Sequence, residues 1–211
     1  MFSRPQLLST GLNTQIVKFH VKRPARRGSS SRAEECVLKF FRSAHRLEYQ
    51  REIAAYEFLL NASAELDFLK PFGYAEWPIT TYRRAIGRNI QTFLDPRDST
   101  ILVLMLEYIR DASPLSSMAA ITPNIAALSL DSLMRLHDIG VGHGDISTSN
   151  ILLIDKNDGQ LAIWIDFAAS TLENSAEHLE LEYRNSVEYF ARLAGVPREE
   201  LAEMVSPLRA G

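Results

Sequence analysis

The pattern of apolar and polar positions divides the chain into a strand-rich first half and a helix-rich second half. Thr14 to Val21 alternates around β-branched residues, and Cys36 to Phe41 is an apolar run broken only by Lys39, so both predict strands. Pro24 to Arg32, with a glycine and three serines between them, predicts a loop and hence a hairpin. From Arg46 to Leu60 the period becomes helical, with Tyr49, Ile53, Tyr56 and Leu60 forming an apolar stripe. Phe72–Trp77 and the continuous apolar run Ile101–Ile109 predict two more strands. Between them, 76–98, and above all Tyr82 to Asp98, predicts a loop insertion. Thr122-Pro123 signals a helix start, and the apolar pattern carries it to Asp138, before Gly140. Ile151–Ile154 and Leu161–Ile165 predict a hairpin turned at Asn157-Asp158-Gly159. A helix follows over Ala176–Ala194, with a short last one from Pro197, and no internal repeat is evident. This order predicts an α+β, two-lobed single domain. Residues 1–109 form the first lobe, 110–211 the second, with a hinge near 107–112 and a ligand site in the cleft between them.

Composition narrows the class. The 211 residues can bury a sizeable core, and 46% hydrophobic with 23% charged residues is a globular balance. A net charge of -3 argues against general nucleic-acid binding, and no specific nucleic acid is expected as a partner. The basic cluster from Lys22 to Arg27 reads as a solvated turn, with nuclear import or phosphate contact as the other reading. One cysteine, Cys36, excludes an internal disulfide framework and reads as buried packing. No run reaches the about 18 apolar residues of a membrane span, and no secretory leader is visible. A cytoplasmic location is expected, a nuclear one being compatible.

Candidate chemistry concentrates at His143-Gly144-Asp145-Ile146-Ser147-Thr148-Ser149-Asn150 and at Trp164-Ile165-Asp166-Phe167. Phosphoryl transfer from a magnesium nucleotide needs an aspartate to orient and deprotonate the acceptor, an asparagine for a metal, and a second aspartate for the metals bridging the phosphates. Asp145, Asn150 and Asp166 occur in that order, five and then sixteen residues apart. Their plainer role would be turn-capping hydrogen bonds from Asp145, Ser147 and Asn150. His143 and His137 read as packing residues.

Lys39 stands inside an apolar strand, where an unpaired ammonium is costly. Either it snorkels to water or it pairs with a carboxylate on the following helix. Glu52 is the first candidate and Glu48, one turn earlier, the second. A Lys39–Glu52 pair would hold the α and β phosphates. The backbone of Ser9, Thr10 and Gly11, with its two hydroxyls, is the candidate phosphate contact. With one glycine, the same residues also read as an ordinary turn.

Together these residues resemble the protein-kinase-like superfamily, and within it the RIO atypical kinases. Ser9-Thr10-Gly11 is similar to their phosphate loop, and His143-Gly144-Asp145-Ile146-Ser147 to their catalytic loop. The His-Gly-Asp form is shared by aminoglycoside-phosphotransferase-like enzymes. The resemblance makes Leu106–Ile109 the hinge, with the backbone of Glu107 and Ile109 receiving adenine. It spans residues 8–193, with its strong motifs confined to 143–167. The helix carrying Glu180, Glu182, Arg184, Asn185, Tyr189 and Phe190 looks like the RIO terminal helix. The chain after Asp166 is too short for the substrate-binding helices of typical protein kinases, which implies a minimal, truncated C-terminal lobe. Ala168 stands where a glycine usually follows Asp-Phe, no lysine follows Gly11, and 76–98 has no counterpart. The implied function is transfer of phosphate from ATP with Mg2+ to an acceptor, a protein Ser/Thr ahead of a small molecule. An ATPase of the same geometry and a pseudokinase scaffold are the other readings.

Overall fold

Strands β1 (Phe2–Thr10), β2 (Thr14–Lys22), β3 (Ala33–Arg42), β4 (Pro71–Pro78) and β5 (Thr100–Glu107) form an antiparallel sheet in the order β1-β2-β3-β5-β4. They belong to a computed structural model that describes residues 2–22, 33–62, 67–87, 93–156, 159–172 and 174–205. The protein is α+β and divides into two units, residues 1–53 with 69–109 and residues 54–68 with 110–211. The segment 54–68 groups with 110–211, apart from the residues on either side of it in sequence. That segment holds the C-terminal half of helix α1 (Arg46–Ala62).

Register assigns the faces of the first sheet. Ile16 pairs with Lys39 and Lys39 with Leu104, while Val17 pairs with Leu38 and Leu38 with Met105. With the two-residue pleat, Val37, Lys39 and Phe41 share one face and Cys36, Leu38 and Phe40 the other. The Lys39 face receives α1, where the Phe41 and Tyr49 rings meet at 5.5 Å. The opposite face buries Val17, Phe19, Leu38, Phe40, Ile101 and Val103 under Tyr82 and Ile86.

Tyr82 and Ile86 belong to a helix, α2 (Ile79–Ile86), where the sequence predicted a loop. Ile79, Tyr82 and Ile86 have helical spacing, but eight residues are too few for the period to declare itself. So short a helix is held by packing, here with Phe40 and Tyr82 rings 4.9 Å apart, and it ends at Gly87 with φ 73°. Residues 88–92 of that stretch, the basic loop 23–32 and the turn at 157–158 lie outside the described residues. Strand β1 also escaped the pattern. It is an edge strand with Pro5 and two register shifts, which break the alternation, and Leu7 and Leu8 stay exposed. On α1 the buried stripe is Tyr49, Glu52, Ala55, Tyr56 and Leu59, and Leu60 faces solvent.

The second unit follows the predicted elements closely. Thr122 Oγ1 caps α3 (Pro123–Asp138) by accepting from Ile125 N–H at 3.3 Å. Strands β6 (Ser113–Pro114), β7 (Ile151–Lys156) and β8 (Gly159–Trp164) form a small antiparallel sheet. Ser175 caps α4 (Ala176–Ala194), which ends at left-handed Gly195, and α5 (Arg198–Val205) follows. The core gathers Leu130, Leu133, Trp164, Phe167, Phe190 and Leu201, with the Trp164 indole N–H donating to the Ser129 carbonyl at 3.0 Å. No helix among the described residues is long and apolar enough to cross a membrane.

Candidate functional site

In the first unit, Lys39 Nζ lies 2.7 Å from Glu52 Oε2, with side chains 3% and 0% exposed. The ammonium also stands 4.9 Å from the centre of the Phe41 ring. Glu48 is the partner of His45 instead, at 3.2 Å on the surface. Burying two charges costs desolvation that their attraction only partly offsets, so the pair is weak as a stabilising device. Its geometry is that of a fixed, dehydrated cation.

The candidate phosphate turn is tighter than the sequence suggested. Ser9 and Thr10 stand in the β1–β2 ladder opposite Ile16 and Gln15, so the turn is only Gly11 to Asn13, closed by Gly11 N–H on the Thr14 carbonyl at 2.8 Å. A Cβ on Gly11 would make ordinary contacts, so neither space nor backbone angle demands glycine there. Thr10 Oγ1 accepts from Gln15 Nε2 at 3.4 Å, and buried Gln15 accepts from the Tyr82 hydroxyl at 2.5 Å. In the hinge candidate, Glu107 N–H donates to the Lys70 carbonyl at 2.9 Å. The Tyr108 ring lies 3.8 Å below Lys18 Nζ, which pairs with Glu35 at 2.8 Å. Ile109 is half-buried. Burial pushes the Cys36 thiol up to about 11, so it is a packing residue and not a nucleophile.

In the second unit, His143 is fully buried against Trp164 and Phe167, ring centres 4.8 and 5.1 Å away. Its Nε2 faces the Ile165 carbonyl at 3.0 Å, and its Nδ1 accepts from Asp145 N–H at 3.3 Å. A carbonyl can only accept and an amide N–H can only donate, so these partners select the neutral Nε2–H tautomer. Burial holds the imidazole below its ordinary value, against the opposing pull of the Ile165 carbonyl and the Glu182, Asp166 and Asp145 carboxylates. The histidine thus orients the backbone of Asp145 and, through Ile165, that of Asp166.

Gly144 has φ 79°, and a Cβ there would overlap the Ala169 carbonyl. Only glycine fits. Asn150 is buried and turns its Nδ2 to two acceptors of Asp145, the backbone oxygen at 3.0 Å and Oδ2 at 2.9 Å. That orientation presents Oδ1 as the side-chain oxygen for a cation. Ser147 does what the plainer reading expected, accepting from Ser149 N–H at 3.3 Å and capping the 3-10 turn Thr148–Asn150. Ile165 N–H donates to the Asn150 carbonyl at 2.8 Å, which ties the second motif to the first. Asp166 itself has φ 65°, a left-handed conformation shared among the described non-glycine residues only with Asp111.

Glu182 of α4 anchors the His143–Gly144 backbone, a contact that the sequence did not disclose. Its Oε1 accepts from Gly144 N–H at 2.6 Å, and its Oε2 from His143 N–H at 3.0 Å and from His137 Nε2 at 2.6 Å. Burial pushes its pKa up, but these donors outweigh burial and the carboxyl ends below its usual range. The glutamate stands 39 residues beyond His143, and no local spacing signals the contact.

The hard oxygen donors of Asn150 and Asp166 fit magnesium better than a softer metal. Among the described residues no group of three or more His, Cys, Asp or Glu could hold a metal by itself. Magnesium in nucleotide sites uses one or two protein oxygens with phosphates, so a protein-only cage is not required. No family model matches the chain, and no curated protein matches it.

Proposed function

We propose that the chain is an ATP- and magnesium-dependent phosphotransferase with a kinase-like fold of the RIO type, acting on a protein Ser/Thr. The observation that carries the reading is the bond between Asn150 Nδ2 and Asp145 Oδ2 at 2.9 Å, in a loop whose Asp145 side remains exposed. The buried Lys39–Glu52 pair supports it as a fixed cation for phosphate oxygens.

Asp145 orients the acceptor hydroxyl and takes its proton as the oxygen attacks the γ-phosphorus. The bond from that phosphorus to the β–γ bridging oxygen breaks, and ADP leaves with the bonding pair. Lys39, held by Glu52, neutralises the α and β phosphates. Asn150 and Asp166 would hold magnesium, which when bound offsets the charge of the β and γ phosphates. Backbone groups of Glu107 and Ile109 take the adenine edge. Since Glu107 N–H is committed to Lys70, that contact falls to the Glu107 carbonyl and Ile109 N–H. Ser9, Thr10 and Gly11 would supply backbone and hydroxyl contacts to phosphate oxygens. Positioning and charge neutralisation supply the acceleration.

A nucleotide-binding module without turnover is the second reading, favoured by the short, single-glycine β1–β2 turn. Magnesium-dependent ADP release and autophosphorylation of the wild type, Asp145→Ala and Asp166→Ala separate the two. Turnover in the wild type, reduced at least a hundredfold in both variants, is expected, since a general base alone contributes about 10²–10⁴. An ATP-dependent melting shift without wild-type turnover leaves the binding module. No shift at all removes both readings.

A further inference from the structure

Two lysines stand on the same face of the five-stranded sheet. Ile16 lies opposite Lys39 and Lys18 opposite Val37, so the pleat turns Lys18 to the side that carries the Lys39–Glu52 pair. Lys18 Nζ is 2.8 Å from Glu35 Oε1, a diagonal pair across β2 and β3 with side chains 14% and 13% exposed. Its second neighbour is the Tyr108 ring, whose centre lies 3.8 Å away, well inside the about 6 Å over which a ring face holds a cation. Glu107 is the last residue of β5, so Tyr108 and Ile109 follow the end of the ladder. Tyr108 is thus pinned through its side chain at the point where the strand ends. The residues on either side of it, Glu107 and Ile109, are those proposed to take the adenine edge. All of these residues belong to the first unit.

We propose that Lys18 is a positioning residue for the base of the nucleotide. Anchored by Glu35, its ammonium clamps the Tyr108 ring, and a ring held on its face restricts χ1 and, with it, the backbone angles of the residue that carries it. The Glu107 carbonyl and the Ile109 N–H are thereby aimed before the nucleotide arrives, which spares part of the ordering cost of binding. A fully exposed ion pair would do little of this, but both partners here are largely shielded from water. The inference rests on the ATP reading of the same segment and divides the work within it. Lys39 meets the triphosphate directly; Lys18 serves the base at one remove.

The probes are ATP and inorganic triphosphate, each with Mg2+, titrated into the full chain and followed by calorimetry. Lys18→Met should weaken ATP binding roughly tenfold, the scale of one shielded cation–π contact, and leave inorganic triphosphate within about twofold of the wild type. A merely structural loss would weaken both alike. Lys18→Arg keeps a cation that stacks on an aromatic face and should restore ATP binding to within about threefold. Tyr108→Leu removes the ring and leaves the Lys18–Glu35 pair in place. Its own ATP-selective loss keeps the test decisive if Lys18→Met does not fold. Unchanged ATP affinity in these two variants, equal weakening of ATP and triphosphate, or no recovery in Lys18→Arg overturns the inference while the ATP reading stands. A wild-type chain that binds no ATP overturns that reading, and the inference with it.

Discussion

Glu52, buried, and Glu182, half-buried, are helical carboxylates, one in each unit, and they are held in different ways. Glu52 faces one cation, Lys39, at 2.7 Å. Glu182 faces two backbone N–H groups and the His137 imidazole. The first arrangement sets a single ammonium against the carboxylate in the core, so its loss leaves a buried acid without that counter-charge. The second spreads the carboxylate's contacts over three donors, two of which no side-chain substitution removes. The proposed function asks the first for a fixed charge and the second for a fixed loop.

The largest effect should come from breaking the buried pair. Lys39→Met strands Glu52 in the core and should cost about 3–5 kcal/mol in urea unfolding, as for other severed buried pairs. Lys39→Met with Glu52→Leu should recover most of that stability while any nucleotide affinity stays lost. A double variant as unstable as the single one would show that the pair is not the unit of stability.

That pair also shows how far the sequence could be read. Lys39 was legible because one charge in an apolar strand is a local anomaly, and Glu52 because a single following helix offered partners. Asp145, Asn150 and Asp166 were singled out by spacing alone, and of these the structure bonds Asn150 to Asp145. What stayed hidden depends on non-local packing. The continuous apolarity of β3 and β5 in fact required cover on both sheet faces, and α2 supplies the second. Glu182 reads as one acid among several on α4, and only the tertiary approach of His143 and Gly144 gives it a role.

Glu182 should respond more mildly, and with a pH signature. Glu182→Gln keeps one acceptor oxygen for two backbone N–H groups, so unfolding free energy should fall by about 1.5–3 kcal/mol, the worth of a hydrogen bond to a charged group. Two groups then give the wild type a falling stability on acidification. His143 stays neutral in the native state with its pKa below 6.5, so below pH 6.5 the unfolded chain gains a proton that the native chain refuses. Glu182, held below 4.5, contributes stability that is full above pH 4.5 and is lost as pH falls through its native value. Urea midpoints from pH 7.5 to 4 should show the upper limb vanish in His143→Gln and the lower limb weaken in Glu182→Gln. Parallel curves for all three proteins would sink this account of the loop.

The smallest effect concerns a contact that the first unit makes without charge. Tyr82 donates from the buried α2 to Gln15, which in turn reaches Thr10 at the edge of the β1–β2 turn. Tyr82→Phe keeps the ring packed on Phe40 and removes only the hydroxyl, so the loss should be about 0.5–1.5 kcal/mol, one neutral hydrogen bond. If α2 merely covers the sheet, that is the whole consequence. If it also braces the turn, amide exchange at Gly11 to Thr14 should quicken in Tyr82→Phe more than at Leu38 to Phe40, where the ring contact is retained. Equal acceleration at both places would assign α2 to the core alone. Faster exchange confined to the turn would make an uncharged bond through Gln15 the counterpart, in the first unit, of the Glu182 anchor in the second.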